Sequence, residues 1–595
     1  MTDNVEFLNL KLKNRSVLPS GILGVSISSL KRVYHNGAGA VTTKSIGPSR
    51  RKGHRSPVVY DWGMGLINAV GLSNPGVEGF VKQYSNQMVD FPVIISVFGE
   101  TEQDFPMLAQ KISHLKYAFL ELNLSCPNVA DEFGKPFAFS ARVTGGIVKK
   151  VKYATDKPVI VKLSPNTPEL IDVAKEAANA GADALCIMNT AGPGMVIDTC
   201  TAAPVLGNLT GGVSGDAVLP ITVKNVYQVY KQVPIPIIAT GGISDLDGAL
   251  QVLMAGASLY GIGSAVYTMG IDIFQTVSDQ LEEFMYNHGV AASGELIGLA
   301  HQGKKIYMPS TLKKKQSTLH QFQVAVVEHT YLPHQQSFCR AGEIKTIFFN
   351  REHLKAPEPG QFFMLWLPGV DQKPYSVSYL DDRMIGFSFN RRGAFSDALF
   401  ELAPGDPVGL LGPLGRGFDM HHSSYLLVGG GVGLAPLVYA ASRLAKEGKK
   451  TVVLAAGAAK KAVVWAERLM ERLGILGEVK LLFCTEDGSV GYKGIATEYL
   501  PGVIDRAKPH FSLVCGPEKM ILGAMSICKK KHIPGQASIE RMMKCGIGIC
   551  GSCCVDHTGD RVCVEGPVFS YDYLEKLSEF GKYTRDESGT IQLIE

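Results

Sequence analysis

The stretch that decides the fold is Ala118-Phe-Leu-Glu-Leu-Asn123-Leu124, followed at once by Ser125-Cys126-Pro-Asn128. Seven mostly apolar residues read as a strand buried on both faces, and the polar string at its end reads as the tip of that strand. The same design recurs on either side. Apolar runs Val93–Phe98, Val159–Leu163, Ala184–Met188, Ile235–Ala239 and Leu259–Ile262 each end in small or polar residues. Between them lie segments of helical length, such as Pro168 to Ala180, with apolar residues at helical spacing. Strands alternating with helices imply a parallel sheet, and about 250–300 residues of such units suit a closed (β/α)8 barrel. The polar strand ends would then gather at one mouth, where barrel enzymes keep their chemistry.

The chain is longer than one core can serve, at 595 residues. The barrel pattern accounts for residues 1–308. A polar, basic stretch, Lys304 to Gln316, breaks it, and a linker is expected over 309–319. From 320 to 421 the pattern changes to alternating β segments, such as Gln323–Val327 and Ile344–Phe348, punctuated by Gly and Pro. That fits a small antiparallel β-barrel. Residues 422–535 return to strand–helix alternation, as in a nucleotide-binding α/β domain. A cysteine-rich domain fills 536–595.

Composition excludes several classes. Charged residues are 19% and the formal net charge is only +4, with no basic stripe interleaved with aromatics, so no nucleic acid partner is expected. No leader-like apolar segment opens the chain and no long apolar run follows, so neither export nor a membrane span is expected. The expectation is a cytoplasmic protein. Five of its twelve cysteines crowd between Cys545 and Cys563, which in that setting points to a metal or redox centre rather than disulfides.

The spacing Cys545-x4-Cys550-x2-Cys553, with Cys563 following, is the plant-type arrangement of four thiolates around a [2Fe–2S] cluster. Structural zinc also accepts four cysteines, but usually from two short knuckles rather than one loop. Cys554 is the spare thiol, because neighbouring side chains diverge. In the preceding domain, Gly429-Gly-Gly431-Val-Gly433-Leu-Ala-Pro436 follows an apolar strand and suits a dinucleotide pyrophosphate. Thr485-Glu-Asp487-Gly-Ser489 and Cys515-Gly-Pro517 stand at later strand ends. No Arg cluster for a 2′-phosphate is evident, which favours NAD over NADP.

Several strings of the first half occur together. They are Thr42-Thr-Lys44-Ser45, Gly65-Leu-Ile-Asn68-Ala-Val-Gly71-Leu-Ser-Asn74-Pro-Gly76, Asn123-Leu-Ser-Cys126-Pro-Asn128, Asn189-Thr190 and Pro204-Val-Leu-Gly-Asn208 through Gly215. In that order they resemble class 1 dihydroorotate dehydrogenases over nearly all of the first 300 residues. The resemblance implies FMN at the barrel mouth. Asn68, Asn123, Asn128, Asn189 and Thr190 would bind the pyrimidine carboxylate and ring amides. Lys44 would contact flavin and substrate, and Cys126 would be the catalytic base. Ser20, Gly21 and Lys162 would face the flavin ring, with Gly215 beside them. Gly241-Gly242 and Gly263-Ser264, after the last two strands, would hold the FMN phosphate. One loop departs from the family. Where Arg-x-Gly-Asn-Pro is usual, this chain has Arg51-Lys-Gly53-His54-Arg-Ser-Pro57.

Lys373-Pro374-Tyr375-Ser376 and Gly393-Ala-Phe-Ser396 resemble the flavin motifs of ferredoxin-reductase-like proteins, with Lys373 in place of the usual Arg. They imply FAD in the small barrel. From about His320 onward the chain thus resembles the electron-transfer subunit of NAD-linked dihydroorotate dehydrogenases. The combined expectation is oxidation of dihydroorotate to orotate, electrons passing from FMN to the [2Fe–2S] cluster, to FAD and to NAD. The family also implies a homo-oligomer. Alternatives are a dihydrouracil or dihydrothymine dehydrogenase, and an electron-transfer module that serves another acceptor.

Overall fold

The computed structural model describes residues 5–85, 87–125, 136–302, 323–331, 344–352 and 354–594. The expected linker, 309–319, lies outside the described residues, as do Cys126 and Asn128.

The first half is a closed barrel of eight parallel strands in sequential order: β1 (Ser16–Leu18), β2 (Ala40–Thr42), β3 (Val93–Val97), β4 (Phe119–Asn123), β5 (Val159–Lys162), β6 (Ala184–Ile187), β7 (Ile237–Thr240) and β8 (Leu259–Gly261). The strands have three to five residues each, and alternate residues face the barrel interior, where they stack in layers. Ala40, Ile94, Phe119, Ile160, Ala184, Ile238 and Leu259 pack together as an apolar floor. An N-terminal hairpin, Val5–Phe7 and Leu10–Leu12, plugs this end, with Phe7 edge-on to Phe119. The intervening residues, among them Val41, Val93, Leu120, Val161 and Leu185, join the core beneath the helices. A four-stranded appendage of Val59–Asp61, Leu66–Asn68, Ala191–Gly194 and Gly211–Ser214 brings Asn68, Gly215 and the neighbourhood of Thr190 into one sheet.

The second half opens with a closed six-stranded antiparallel barrel between Gln323 and Leu414. A seven-stranded sheet follows, in the order Tyr492–Lys493, Val479–Thr485, Lys450–Gly457, Ser424–Gly430, Phe511–Cys515, Gly535–Ser538 and Val568–Ser570. All of its pairings are parallel except the last. The expected boundary at 535/536 falls inside a strand of this sheet. The strand Val568–Ser570, from the cysteine-rich segment, pairs antiparallel with Gly535–Ser538 and completes the edge. Among the described residues no helix is long and apolar enough to cross a membrane.

Candidate active site and cluster loop

Two residues above the apolar floor, the inward positions of the barrel turn polar. Ser96 donates to the Glu121 carboxylate (2.8 Å) and shares a hydrogen bond with Ser45 (2.9 Å). Ser20 and Ser45 also pair (3.1 Å), and Ser20 donates to the carbonyl of Thr43. Asn123, at the end of β4, donates its amide to Ser45 (3.0 Å). Asn189 donates to Ser125 (3.0 Å) and, at 3.4 Å, to the Asn123 side-chain oxygen. The backbone N–H of Thr190 donates to Asn189 (2.8 Å). Ser20, Ser45, Asn123, Asn189 and Thr190 therefore form one hydrogen-bonded array from β1 to the loop after β6. Such an array holds amide groups at fixed angles, as recognition of a flat polar ring requires.

Lys44 is nearly buried and donates to Ser73 (2.7 Å). Burial pulls its ammonium down to about 8. The charge of Lys544 pushes the same way, and the thiols of Cys550 and Cys545 push back. Lys162, the last residue of β5, is buried and lies in register with Asn123 on one side and Cys186 on the other. Burial raises the Cys186 thiol to about 12, despite the opposing charge of Lys162. Asn68 sits on the appendage and donates to the Gly212 carbonyl (3.2 Å). Gly21, Gly241-Gly242 and Gly263-Ser264 follow β1, β7 and β8, which are neighbours in the barrel, so all lie at one corner of the mouth. A Cβ on Gly21 would meet nothing within 4 Å, leaving open space for a ligand ring beside this corner.

The cluster loop docks on this same corner. Cys545, Cys550, Cys553 and Cys563 are all buried. They share one loop and its return, and the Cys550 N–H donates to the Cys545 sulfur (3.5 Å). The neighbouring Cys550 and burial push the Cys545 thiol well up, while the neighbouring Cys545 holds Cys550 well down. Among the described residues no group of three or more His, Cys, Asp or Glu is spaced for a single metal ion. Four buried thiols spaced C-x4-C-x2-C and followed by Cys563 fit the plant-type [2Fe–2S] ligand set. Cys554 turns away from the set into the barrel core, its thiol 3.7 Å from the Ser29 hydroxyl and pushed up by burial.

Contact with the barrel is close. The Leu23 N–H, just past Ser20-Gly21, donates to the Ile549 carbonyl (3.3 Å). Gly551 has φ +73°, and a Cβ there would lie 3.1 Å from the Leu23 Cα. Glycine at this position lets the two backbones meet. On the barrel's first helix, α1 (Ile27–His35), Arg32 pairs with Asp560 (2.8 Å) and Glu565 (3.2 Å).

Comparison with known proteins matches both ends of the chain to families. The family model for dihydroorotate dehydrogenase matches residues 3–285. That for the iron–sulfur cluster binding domain of dihydroorotate dehydrogenase B matches 540–575. The catalytic subunit of dihydroorotate dehydrogenase B (NAD(+)) from Methanothermobacter thermautotrophicus is 40% identical over 294 residues, covering 96% of that relative and 49% of this chain. The subunit of the same name from Pyrococcus abyssi is 40% identical over 296 residues, 98% of its length and 50% of this chain. The chain belongs to the dihydroorotate dehydrogenase family. Its barrel spans nearly the whole of those catalytic subunits, and the rest of the chain lies beyond them.

The family strings led to Lys44, Asn123, Asn189 and Ser20, which the fold brings together. They did not include Ser96 or Glu121, and they carried Ser73 without giving it a role. Ser96 and Glu121 interrupt apolar runs at inward positions, and that polar break in a period-two pattern is the signal that marks them. In the second half, Ser396 accepts from the N–H groups of Arg392 and Gly393 at the start of helix Ala394–Glu401. Tyr375 is half-buried and its ring stacks near Phe395, centroids 6.1 Å apart. Pro374 and Ser376 share its strand, Asp371–Leu380. Lys373 pairs with Asp371 (3.0 Å) and reaches Glu587 (4.0 Å). The loop Gly429–Gly433 abuts Cys515–Pro517: a Cβ on Gly433 would lie 2.6 Å from the Cys515 carbonyl oxygen. Gly431 faces open space. Both loops follow central neighbouring strands of the sheet, where α/β domains bind nucleotides.

Proposed function

We propose that this chain oxidises L-dihydroorotate to orotate and delivers the electrons to NAD, both half-reactions being housed in one polypeptide. The observation that carries the reading is the cluster loop seated on the barrel mouth, Ile549 bonded to Leu23 and Gly551 against it. A redox centre placed there serves a barrel that must export electrons.

FMN in the barrel would accept hydride from the substrate ring, and the [2Fe–2S] cluster and FAD would carry the electrons on to NAD. The remaining roles belong to the chain itself. Asn68, Asn123, Asn128, Asn189 and Thr190 would hold the carboxylate and ring amides of the substrate. Cys126 would take the proton from C5. Lys44 and Lys162 would place positive charge beside the flavin ring. Ser20, Gly21 and Gly215 would line the ring, while Gly241, Gly242, Gly263 and Ser264 would offer backbone N–H groups to the phosphate. Cys545, Cys550, Cys553 and Cys563 would hold the [2Fe–2S] cluster. Lys373, Pro374, Tyr375, Ser376, Gly393 and Ser396 would bind FAD. Gly429, Gly431 and Gly433 would receive the NAD pyrophosphate. A cytoplasmic setting fits the ten described cysteines, all unpaired.

An anaerobic visible spectrum, recorded before and after L-dihydroorotate and then NAD, tests the reading. Bleaching of flavin and iron–sulfur bands, followed by their return with NADH absorbance, is the expected result. Bleaching by NADH but not by dihydroorotate would leave the electron-transfer half standing and overturn the substrate. The loop around His54, which departs from the family spacing, directs the next trial to dihydrouracil and dihydrothymine.

A further inference from the structure

Two features of the chain fall outside its family pattern, and they meet in space. One is the barrel loop 50–57, where extra residues separate Gly53 from Pro57. The other is the C-terminal segment after residue 575, where the match to the cluster-domain model ends. That segment forms a hairpin of Tyr583–Arg585 and Ile591–Leu593. Its turn reaches the barrel: Arg50 donates from Nε to the Ser588 hydroxyl (2.9 Å) and forms an ion pair with Asp586.

The hairpin is rigid at both ends of this contact. Asp586 is fixed within the turn by bonds from the N–H of Ser588 (2.9 Å) and Thr590 (3.1 Å). The root of the hairpin is tied to the cluster domain. Tyr583 donates to Asp556 (2.8 Å), and Arg585 pairs with Asp556 (2.7 Å) and Glu579 (3.6 Å). Asp556 stands three positions beyond Cys553. On the other side of the cluster, Lys544 directly precedes Cys545 and donates to the Lys52 carbonyl (2.6 Å). The Ser56 N–H donates to Asp371 of the small barrel (3.0 Å), and the Ser56 hydroxyl to the Lys544 carbonyl (3.4 Å). Loop 50–57 is thus gripped from both flanks of the cluster loop. The hairpin turn, Asp586–Gly589, also lines a small cavity with Lys44, Ser73 and Ser552.

We propose that the C-terminal hairpin is a clasp. It fastens the electron-transfer half to barrel loop 50–57 and so fixes the cluster loop against the barrel mouth, with Arg50, Asp586 and Ser588 as positioning residues. Its effect on electron delivery rests on the function proposed above; its effect on docking does not. The Arg50–Asp586 pair is half in solvent, with side-chain exposures of 47% and 20%, so salt weakens it.

The test is hydrogen–deuterium exchange on the full chain, read at the Ser56 and Leu23 amides, which both donate across the interface. Arg50→Ala and Asp586→Asn, the latter keeping the acceptor bonds within the turn, are expected to raise exchange at both amides about fivefold. A chain ending at Lys582 is expected to raise it further, and high salt to reproduce the effect in the parent. Unchanged exchange at both amides in both point variants would overturn the clasp. The second readout is turnover. Dihydroorotate-dependent NAD reduction should lose kcat with KM for both substrates unchanged, while NADH-dependent reduction of ferricyanide stays at the parental rate. Freed amides with parental kcat would refute the positioning role. A parent without dihydroorotate turnover would sink the proposed substrate, and the exchange experiment would still decide the clasp.

Discussion

Cys126, Lys44 and the cluster thiols carry the sharpest expectations at the scale of the residue. Cys126→Ala should abolish dihydroorotate oxidation while flavin, iron and sulfide contents stay at parental levels; loss of flavin on purification would mean that this side chain also helps to bind it. Lys44 makes a prediction with a sign. Its folded value of about 8 lies below that of an exposed lysine, so over the interval between the two the unfolded chain binds the extra proton. In the cluster-free protein, the stability difference between Lys44→Met and the parent should therefore narrow as pH rises from 8 towards 10. The full interval is worth ~3 kcal/mol. Urea melts across that range check it. Cys563→Ala should lose the cluster, read as iron and acid-labile sulfide. Cys554→Ala should keep it and cost about 1 kcal/mol from lost burial. At this scale the sequence was most legible where a polar residue closes a strand, as at Asn123 and Lys162. It was least legible at the bond from Lys44 to Ser73, which spans 29 positions and shows in neither string alone.

Among the elements, the barrel strands that read clearly were those lying in apolar runs of four or more residues, such as Val93–Val97, Phe119–Asn123 and, within Leu259–Ile262, Leu259–Gly261. Ser16–Leu18 and Ala40–Thr42 have three each, too few for either period to register. Val568–Ser570 was illegible for another reason. Its pairing with Gly535–Ser538 is non-local, and a three-residue strand at a sheet edge has no pattern of its own. The cluster loop was legible from cysteine spacing alone, but its docking surface was not. That surface depends on Gly551, where a side chain would enter the backbone of Leu23 from a left-handed conformation. Gly551→Ala is expected to cost about 1–3 kcal/mol and to raise exchange at the Leu23 amide. Parental melting with parental exchange would show that the two loops can part without penalty.

For the whole molecule, the two halves predict separable chemistry. In the Cys126→Ala variant, NADH should still reduce ferricyanide at the parental rate, because that route needs only the second half. A variant lacking Cys563 should reverse part of this pattern. Dihydroorotate should still bleach the barrel flavin once, and no NADH should form. Single-turnover absorbance records distinguish the two. Sequence order gave this architecture readily, since each module carries its own motif. It was silent on how the modules face one another, because contacts such as Arg32 with Asp560 or Arg50 with Asp586 join residues more than 500 positions apart.

The shared seven-stranded sheet decides where this polypeptide can be divided. Cutting after the barrel would give a first fragment of nearly the same extent as relatives that exist as subunits of their own. Cutting at 535/536 would sever a strand and strip Val568–Ser570 from its neighbour, baring a row of unpaired amides and carbonyls that invites association with any other chain. Anyone splitting the gene to express its parts should expect the first cut to leave every sheet whole and the second to leave an open edge that aggregates.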